Sequence, residues 1–165
     1  MKMKYFLKYR SLIGLFLVSA SLLMIQILLL RFSRVAFVFN LQFIILSSAI
    51  LGIGLGAFLV YLWMRKADDL MVGKYLFRTS FCYSVSSLMP FFVLHFTNFY
   101  PLWFIASLFF ISELAVYIFA GVIIALTFRY YARSTGVYLI YFINMLGSGI
   151  GAFLAIFLLD SIGIY

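Results

Sequence analysis

The sequence predicts an all-α fold: a polytopic transmembrane helix bundle that occupies residues 1–165 as a single transmembrane domain, with no soluble domain. The chain is 67% apolar and only 10% charged, and its mean hydropathy is +1.21. A soluble domain carries roughly 45–50% apolar and about 25% charged residues, so this composition cannot cover a water-facing surface. Because a membrane helix needs ~20 residues, the length allows about five helices joined by short connectors. No room remains for a nucleotide-binding βαβ unit.

Five apolar stretches are separated by connectors that carry charge, proline or polar clusters. The first follows a basic N-terminus and continues through Leu30, which favours a retained helix over a cleaved signal peptide. Pro90 predicts a kink in the third, because proline removes a backbone donor. The predicted helices are about 11–30, 38–64, 79–96, 101–128 and 137–160.

The basic residues predict the orientation of these helices. The net charge is +8, and in a membrane protein Lys and Arg collect in cytoplasmic loops. With a cytoplasmic N-terminus, ten of the twelve Lys and Arg residues lie inside and only Arg31 and Arg34 lie outside. We therefore expect an integral membrane protein with its N-terminus in the cytoplasm and its C-terminus on the other side. The charge reflects topology, and we expect no nucleic-acid partner.

Arg31 and Arg34 are candidates for contact with an anion at the outer face. They lie three residues apart and share one side of a helix end. An anionic lipid, a ligand or a partner chain would explain them, and so would simple snorkelling to the interface. His95 and Cys82 are the single histidine and cysteine, so the sequence predicts no metal site and no cofactor.

A glycine-rich segment occurs twice. Residues 51–60, LGIGLGAFLV, match residues 146–155, LGSGIGAFLA, at seven of ten positions. Gly52 with Gly56, and Gly147 with Gly151, each form a GxxxG motif that allows close helix packing. Convergence on this packing motif is one explanation. Duplication of a three-helix unit is the other, and it predicts an incomplete inverted 3+3 repeat of the major-facilitator type that lacks a sixth helix.

Two stretches carry a resemblance to a known family. Residues 19–31, SASLLMIQILLLR, with residues 51–57 downstream, resemble the opening helices of bacterial membrane-embedded spermidine/spermine-synthase-like proteins. Residues 141–151, YFINMLGSGIG, followed by residues 158–160, LLD, and Gly163, resemble a later helix of the same proteins. The resemblance implies a bacterial inner-membrane location and a shared helical scaffold.

In that family the helical region accompanies a soluble domain similar to polyamine aminopropyltransferases. These 165 residues contain no such domain. The chain also has Gln26 and Asn144 where the family pattern has Glu and Asp. The resemblance therefore implies a scaffold without catalytic residues, and we expect no aminopropyl transfer by this chain alone.

Glu113, Gln26 and Asn144 are the polar residues within the predicted helices that we consider as candidates for a role inside the membrane. Glu113 lies near the bilayer midplane, where a carboxyl group is costly and becomes a functional candidate. It is interpreted as a proton carrier, a cation ligand or a neutral acid hydrogen-bonded inside the bundle, with Gln26 or Asn144 as its expected partner. Gln26 and Asn144 are predicted to face the bundle and to bond between helices.

Three functions remain open from the sequence. The first is a membrane module of a spermidine-synthase-like system whose catalytic part lies elsewhere. The second is a half-transporter of the major-facilitator type. The third is a structural subunit of a membrane complex. Each implies contact with the lipid bilayer and with a partner chain or a second copy.

Overall fold

A computed structural model of the chain describes residues 2–36, 42–63, 69–95 and 101–162. The described residues form six α-helices and contain no strand. Four of these helices, α1, α2, α5 and α6, are long and apolar enough to cross a membrane. The predicted fold class is confirmed: the chain is an all-α, multi-pass integral membrane protein. The helices are α1 Lys2–Ala36, α2 Gln42–Trp63, α3 Asp69–Ser86, α4 Met89–His95, α5 Leu102–Thr135 and α6 Val137–Ile162.

The third predicted helix, 79–96, differs from the structure. The chain there forms two shorter helices, α3 and α4, separated by a turn at Ser87 and Leu88. The break agrees with the predicted kink, because Pro90 cannot donate an amide hydrogen to the Ser86 carbonyl. Neither short helix qualifies as an apolar span by itself. The ends of the predicted second and third helices at 38–41, 64 and 96 lie outside the described residues.

The membrane helices are longer than their apolar cores. The sequence predicted a connector at residues 129–136, which include Arg129 and Arg133. In the structure α5 continues through these two arginines and ends only at Thr135. Hydropathy locates only the apolar part of a helix. The helix itself can continue into the membrane interface, because long basic side chains there reach the water with their charged ends. Gly136 alone joins α5 to α6, and its φ of 85° is the left-handed conformation that ends a helix without a Cβ clash.

Buried apolar clusters establish how the helices run relative to one another. Along α1, Leu12 packs near Tyr131, Leu22 near Tyr117, and Leu29 near Phe109, so α1 and α5 are antiparallel. Similar pairings make α2 parallel to α5 and α6 parallel to α1. For α2 and α5, Ile45 clusters with Phe109, Ala49 with Val116, and Val60 with Leu126. For α1 and α6, Phe16 lies against Gly147 and Ala20 against Gly151.

The broken pair α3 and α4 together complete a pass through the bundle. Val72, near the start of α3, packs with Val60 at the end of α2. Val93 in α4 packs with Ile45 at the start of α2. The described residues therefore traverse the bundle five times, four times as one apolar helix and once as two short helices.

Both GxxxG motifs lie at close helix contacts. A Cβ at Gly52 would overlap the Cβ of Tyr117, and a Cβ at Gly56 would overlap the carbonyl oxygen of Ile118, both on α5. On the other side of the bundle, Gly147 and Gly151 of α6 lie against the backbone of α1. A Cβ at Gly147 would overlap the carbonyl oxygen of Phe16, and a Cβ at Gly151 would overlap that of Ala20. The expected glycine packing is therefore present in both copies of the motif.

The two contacts are reciprocal. The second helix of the first unit, α2, packs on the first helix of the second unit, α5. The second helix of the second unit, α6, packs in the same way on α1. Phe16 and Ala20 on α1 thus present to Gly147 and Gly151 the carbonyl oxygens that Leu114 and Ile118 on α5 present to Gly52 and Gly56. Because α1 and α5 are antiparallel, this exchange agrees with the predicted inverted relation between the two units.

Candidate functional site

Glu113 is fully buried in the middle of α5. Its exposed fraction is 0%, and it lies ten residues after Trp103, the first residue of the apolar part of that helix. At 1.5 Å per residue this places it about 15 Å into the span, close to the centre of a hydrocarbon core of ~30 Å. The structure confirms that the carboxyl group faces the bundle interior.

The carboxyl group has few polar contacts for its depth. The Tyr117 hydroxyl, one turn along α5, donates to Oε1 over 3.4 Å, which is a long and weak hydrogen bond. The Ser48 hydroxyl faces the same carboxyl group from α2. However, Ser48 donates its single proton to the Ile45 carbonyl oxygen at 2.8 Å. The second carboxyl oxygen, Oε2, is buried without a hydrogen bond within the described part of the chain.

Two further polar groups lie next to this site. Tyr83 of α3 packs in the same buried cluster as Tyr117. Its hydroxyl lies 2.8 Å from the Ser21 hydroxyl of α1. Since Ser21 donates to the Val18 carbonyl oxygen, Tyr83 is the donor of the bond between them. We call Glu113, Tyr117, Ser48, Tyr83 and Ser21 the Glu113 cluster; it joins α1, α2, α3 and α5 within the membrane.

Sequence reasoning missed four of the five members of the Glu113 cluster. Tyrosine and serine occur throughout the chain, with 12 Tyr in total, so neither composition nor hydropathy distinguishes Tyr83 from the others. One signal was available. Tyr117 follows Glu113 by four residues and therefore shares its helix face.

Asn144 bonds elsewhere. Its side chain lies 2.6 Å from the hydroxyl of Ser19, which is only 1% exposed. Ser19 also lies 2.8 Å from the Leu15 carbonyl oxygen, and one hydroxyl proton cannot serve both acceptors. The 2.6 Å contact is the shorter of the two and has the length of an O–H···O bond, so we assign Ser19 as the donor to the Asn144 amide oxygen Oδ1. This bond between α1 and α6 agrees with the interhelical role predicted for Asn144.

The predicted pairing of Glu113 with Gln26 or Asn144 is wrong. Glu113 accepts from Tyr117, whereas Asn144 bonds to Ser19 on a different helix pair. Gln26 lies between Leu22 and Leu29, and therefore near the depth of Glu113, but its side chain is partly exposed. Helical periodicity placed Gln26 and Asn144 towards the bundle, but it could not show which helix each one meets.

The α3–α4 break lies at the depth of Glu113. Tyr83 before the break packs level with Val116, and Val93 after it packs level with Phe109. Pro90 is buried, and the Ser86 carbonyl loses its usual i+4 donor there. Irregular backbone at membrane depth is tolerated only where protein or a water-filled cavity surrounds it.

The remaining candidates lie away from this cluster. Arg31 and Arg34 are exposed near the end of α1, and His95 is exposed at the end of α4. Cys82 is a free, exposed cysteine on α3. Across residues 2–36, 42–63, 69–95 and 101–162, no group of three His, Cys, Asp or Glu residues lies together as a metal site would require.

No protein-family model, curated protein or solved structure matches this chain. Functional inference therefore depends on the residues and their geometry.

The bond between Tyr83 and Ser21 is expected to hold α3 against α1. Tyr83→Phe and Ser21→Ala each remove one partner, and the double variant should show a coupling energy of about 0.5–2 kcal/mol. The measurement is the free energy of unfolding in mixed detergent micelles. Tyr75→Phe is the matched control, because Tyr75 is 40% exposed on the same helix. Additive effects of the two substitutions would contradict the bond.

Proposed function

We propose that this chain is an integral membrane module resembling the helical region of spermidine-synthase-like proteins. It acts as a scaffold that associates with a partner chain or with a second copy, and its 165 residues do not include a catalytic domain. The observation that carries the proposal is the reciprocal packing of α2 on α5 and of α6 on α1. Two inverted units packed in this way build one scaffold, to which the second unit contributes α5 and α6 within these 165 residues.

The same relation indicates where the remaining helix belongs. In the first unit, α3 packs on α5 near Val116, Ile123 and Leu126. With Ala20 equivalent to Ile118, the corresponding positions on α1 are Val18, Ile25 and Leu28. On this side of α1, Val18, Ser21 and Ile25 are only partly buried. We propose that a helix of a partner chain or of a second copy covers these three residues, which we call the α1 docking face.

The proposed location is the bacterial inner membrane with a cytoplasmic N-terminus. The supporting observation is charge. Ten of the twelve Lys and Arg residues fall in the first ten residues of the chain, between α2 and α3, within α3, or near the end of α5. Packing brings these segments to one end of the bundle, because Leu12 of α1 clusters with Tyr131 and Val60 of α2 with Val72. Basic residues concentrate on the cytoplasmic side.

Cysteine cross-linking in native membranes tests the α1 docking face. In a Cys82→Ser background, we expect Val18→Cys to form a cross-linked adduct with a second copy or a partner chain. Leu17→Cys is the control, because Leu17 is 59% exposed on another side of α1. Mass spectrometry of the adduct identifies what was captured. Equal cross-linking at positions 17 and 18, or none at positions 18, 21 and 25, would contradict the proposal.

A half-transporter of the major-facilitator type is the second candidate. The specific observation that favours it is Glu113, a buried carboxyl group whose Oε2 has no hydrogen bond to the described residues. Intramembrane carboxyl groups commonly mark ion or proton pathways. Purified chain in proteoliposomes, with any cross-linked partner, should then dissipate an imposed proton gradient, and Glu113→Gln should abolish that flux. Absence of flux in the wild type would leave the scaffold as the better description.

A further inference from the structure

The hydrogen bonds of the Glu113 cluster leave one oxygen of the buried carboxyl group without a donor. The Tyr117 hydroxyl donates to Oε1. The Ser48 hydroxyl faces the carboxyl group and has already given its proton to the Ile45 carbonyl oxygen, so its lone pairs point away from that bond. Ser48 is therefore oriented as an acceptor. The oxygen left without a partner, Oε2, is the one that would supply the missing proton.

The charges around the site support the same conclusion. The groups that face Glu113 from the helices packed around it are hydroxyls: Tyr117 on α5 itself, Ser48 on α2, and Tyr83 on α3 with Ser21 on α1 beyond it. From α4, the buried neighbours are the apolar residues Pro90 and Val93. Among the described residues, no Lys, Arg or His forms an ion pair with this carboxyl group. An ionised, buried carboxylate without a counter-ion is strongly disfavoured, so the group binds a proton instead.

We infer that Glu113 is an exchangeable proton-binding site inside the membrane, with the proton on Oε2 and with Oε1 accepting from Tyr117. The proton is the ligand, and the carboxyl group is a neutral acid in this conformation. Tyr83 and Ser21 continue the polar layer from α3 to α1, where Ser21 is partly exposed. This inference is independent of the proposed scaffold role.

Infrared spectroscopy of the full chain in lipid nanodiscs tests the protonation state directly. The wild-type spectrum minus that of Glu113→Gln should show the C=O stretch of a protonated carboxyl group at neutral pH. In D₂O this band should shift, because the proton exchanges. Carboxylate bands in place of the acid band, or an acid band that does not respond to D₂O, would overturn the inference.

Tyr117→Phe separates a proton site from a merely structural residue. Removing the donor to Oε1 should move the acid C=O stretch to higher frequency, because that oxygen loses its hydrogen bond. Tyr61→Phe is the control, since Tyr61 is 63% exposed on α2, and it should leave the band unchanged. An acid band that is identical in the wild type and in Tyr117→Phe would contradict the assigned geometry.

Labelling with dicyclohexylcarbodiimide provides a second measurement. This apolar reagent reacts with protonated carboxyl groups: the carboxyl oxygen adds to the central carbon while the proton moves to nitrogen, and rearrangement leaves a stable acylurea. The chain has only four Asp and Glu residues, so mass spectrometry can assign the adduct. We expect an adduct at Glu113 that decreases as the pH is raised and is lost in Glu113→Gln. Labelling of Asp160, which is exposed, with none at Glu113 would overturn the inference.

Discussion

Replacing Gly56 or Gly151 with leucine is expected to separate the paired helices and to prevent assembly of the bundle. At Gly56 even a Cβ would overlap the Ile118 carbonyl oxygen and the nearby backbone of Val122. At Gly151 it would overlap the Ala20 carbonyl oxygen. Overpacking a core against side chains costs about 1–3 kcal/mol. Here the obstacle is backbone, which cannot rotate away, so we expect a larger loss.

The motif contains its own controls. Gly54 and Gly149 are the middle glycines of the two copies, and no atom of a neighbouring helix lies within 4 Å of the position that a Cβ would occupy there. Leucine at these two positions should leave the free energy of unfolding in mixed micelles nearly unchanged. The helix propensity and hydrophobicity of the four substitutions are the same, so only the location of the contact differs. Equal destabilisation by Gly54→Leu and Gly56→Leu would contradict the observed packing.

Fusion of a reporter that is active only in the cytoplasm to Tyr165 is expected to give no signal, whereas fusion after Trp63 should give a strong one. The reason lies in the number of passes. Four apolar helices alone would return the C-terminus to the side of the N-terminus. The broken α3–α4 segment adds a fifth pass, because its two ends pack level with the two ends of α2. The C-terminus then emerges on the far side.

A reporter that is active only outside the cytoplasm, fused at the same positions, should give the reverse pattern, which excludes poor expression as the cause of a missing signal. Removing the two basic residues of α3, Lys74 and Arg78, provides a further test, since these charges help to hold the start of α3 on the basic side. A strong cytoplasmic signal from the Tyr165 fusion would mean that α3 and α4 do not cross the membrane.

Several features of this protein followed from the sequence alone because they depend on one helix at a time. Hydropathy summed along a segment located the apolar spans, and the depth of Glu113 followed from its distance to the end of its helix. The glycine motifs predicted close contact, since a four-residue spacing of glycines opens one face of a helix to a neighbouring backbone. These properties depend on local spacing and need no knowledge of the neighbour.

Only the tertiary structure decided which faces meet. The sequence placed Gln26, Asn144 and Glu113 towards the bundle interior, yet the partner of Glu113 is Tyr117 and that of Asn144 is Ser19. The pairing of α2 with α5, and of α6 with α1, depends on lateral packing of whole helices, which helical periodicity does not specify. The same holds for Tyr83, which looks like the other tyrosines in the sequence. It becomes part of a polar layer because α3 lies beside α1 and α5 at that depth.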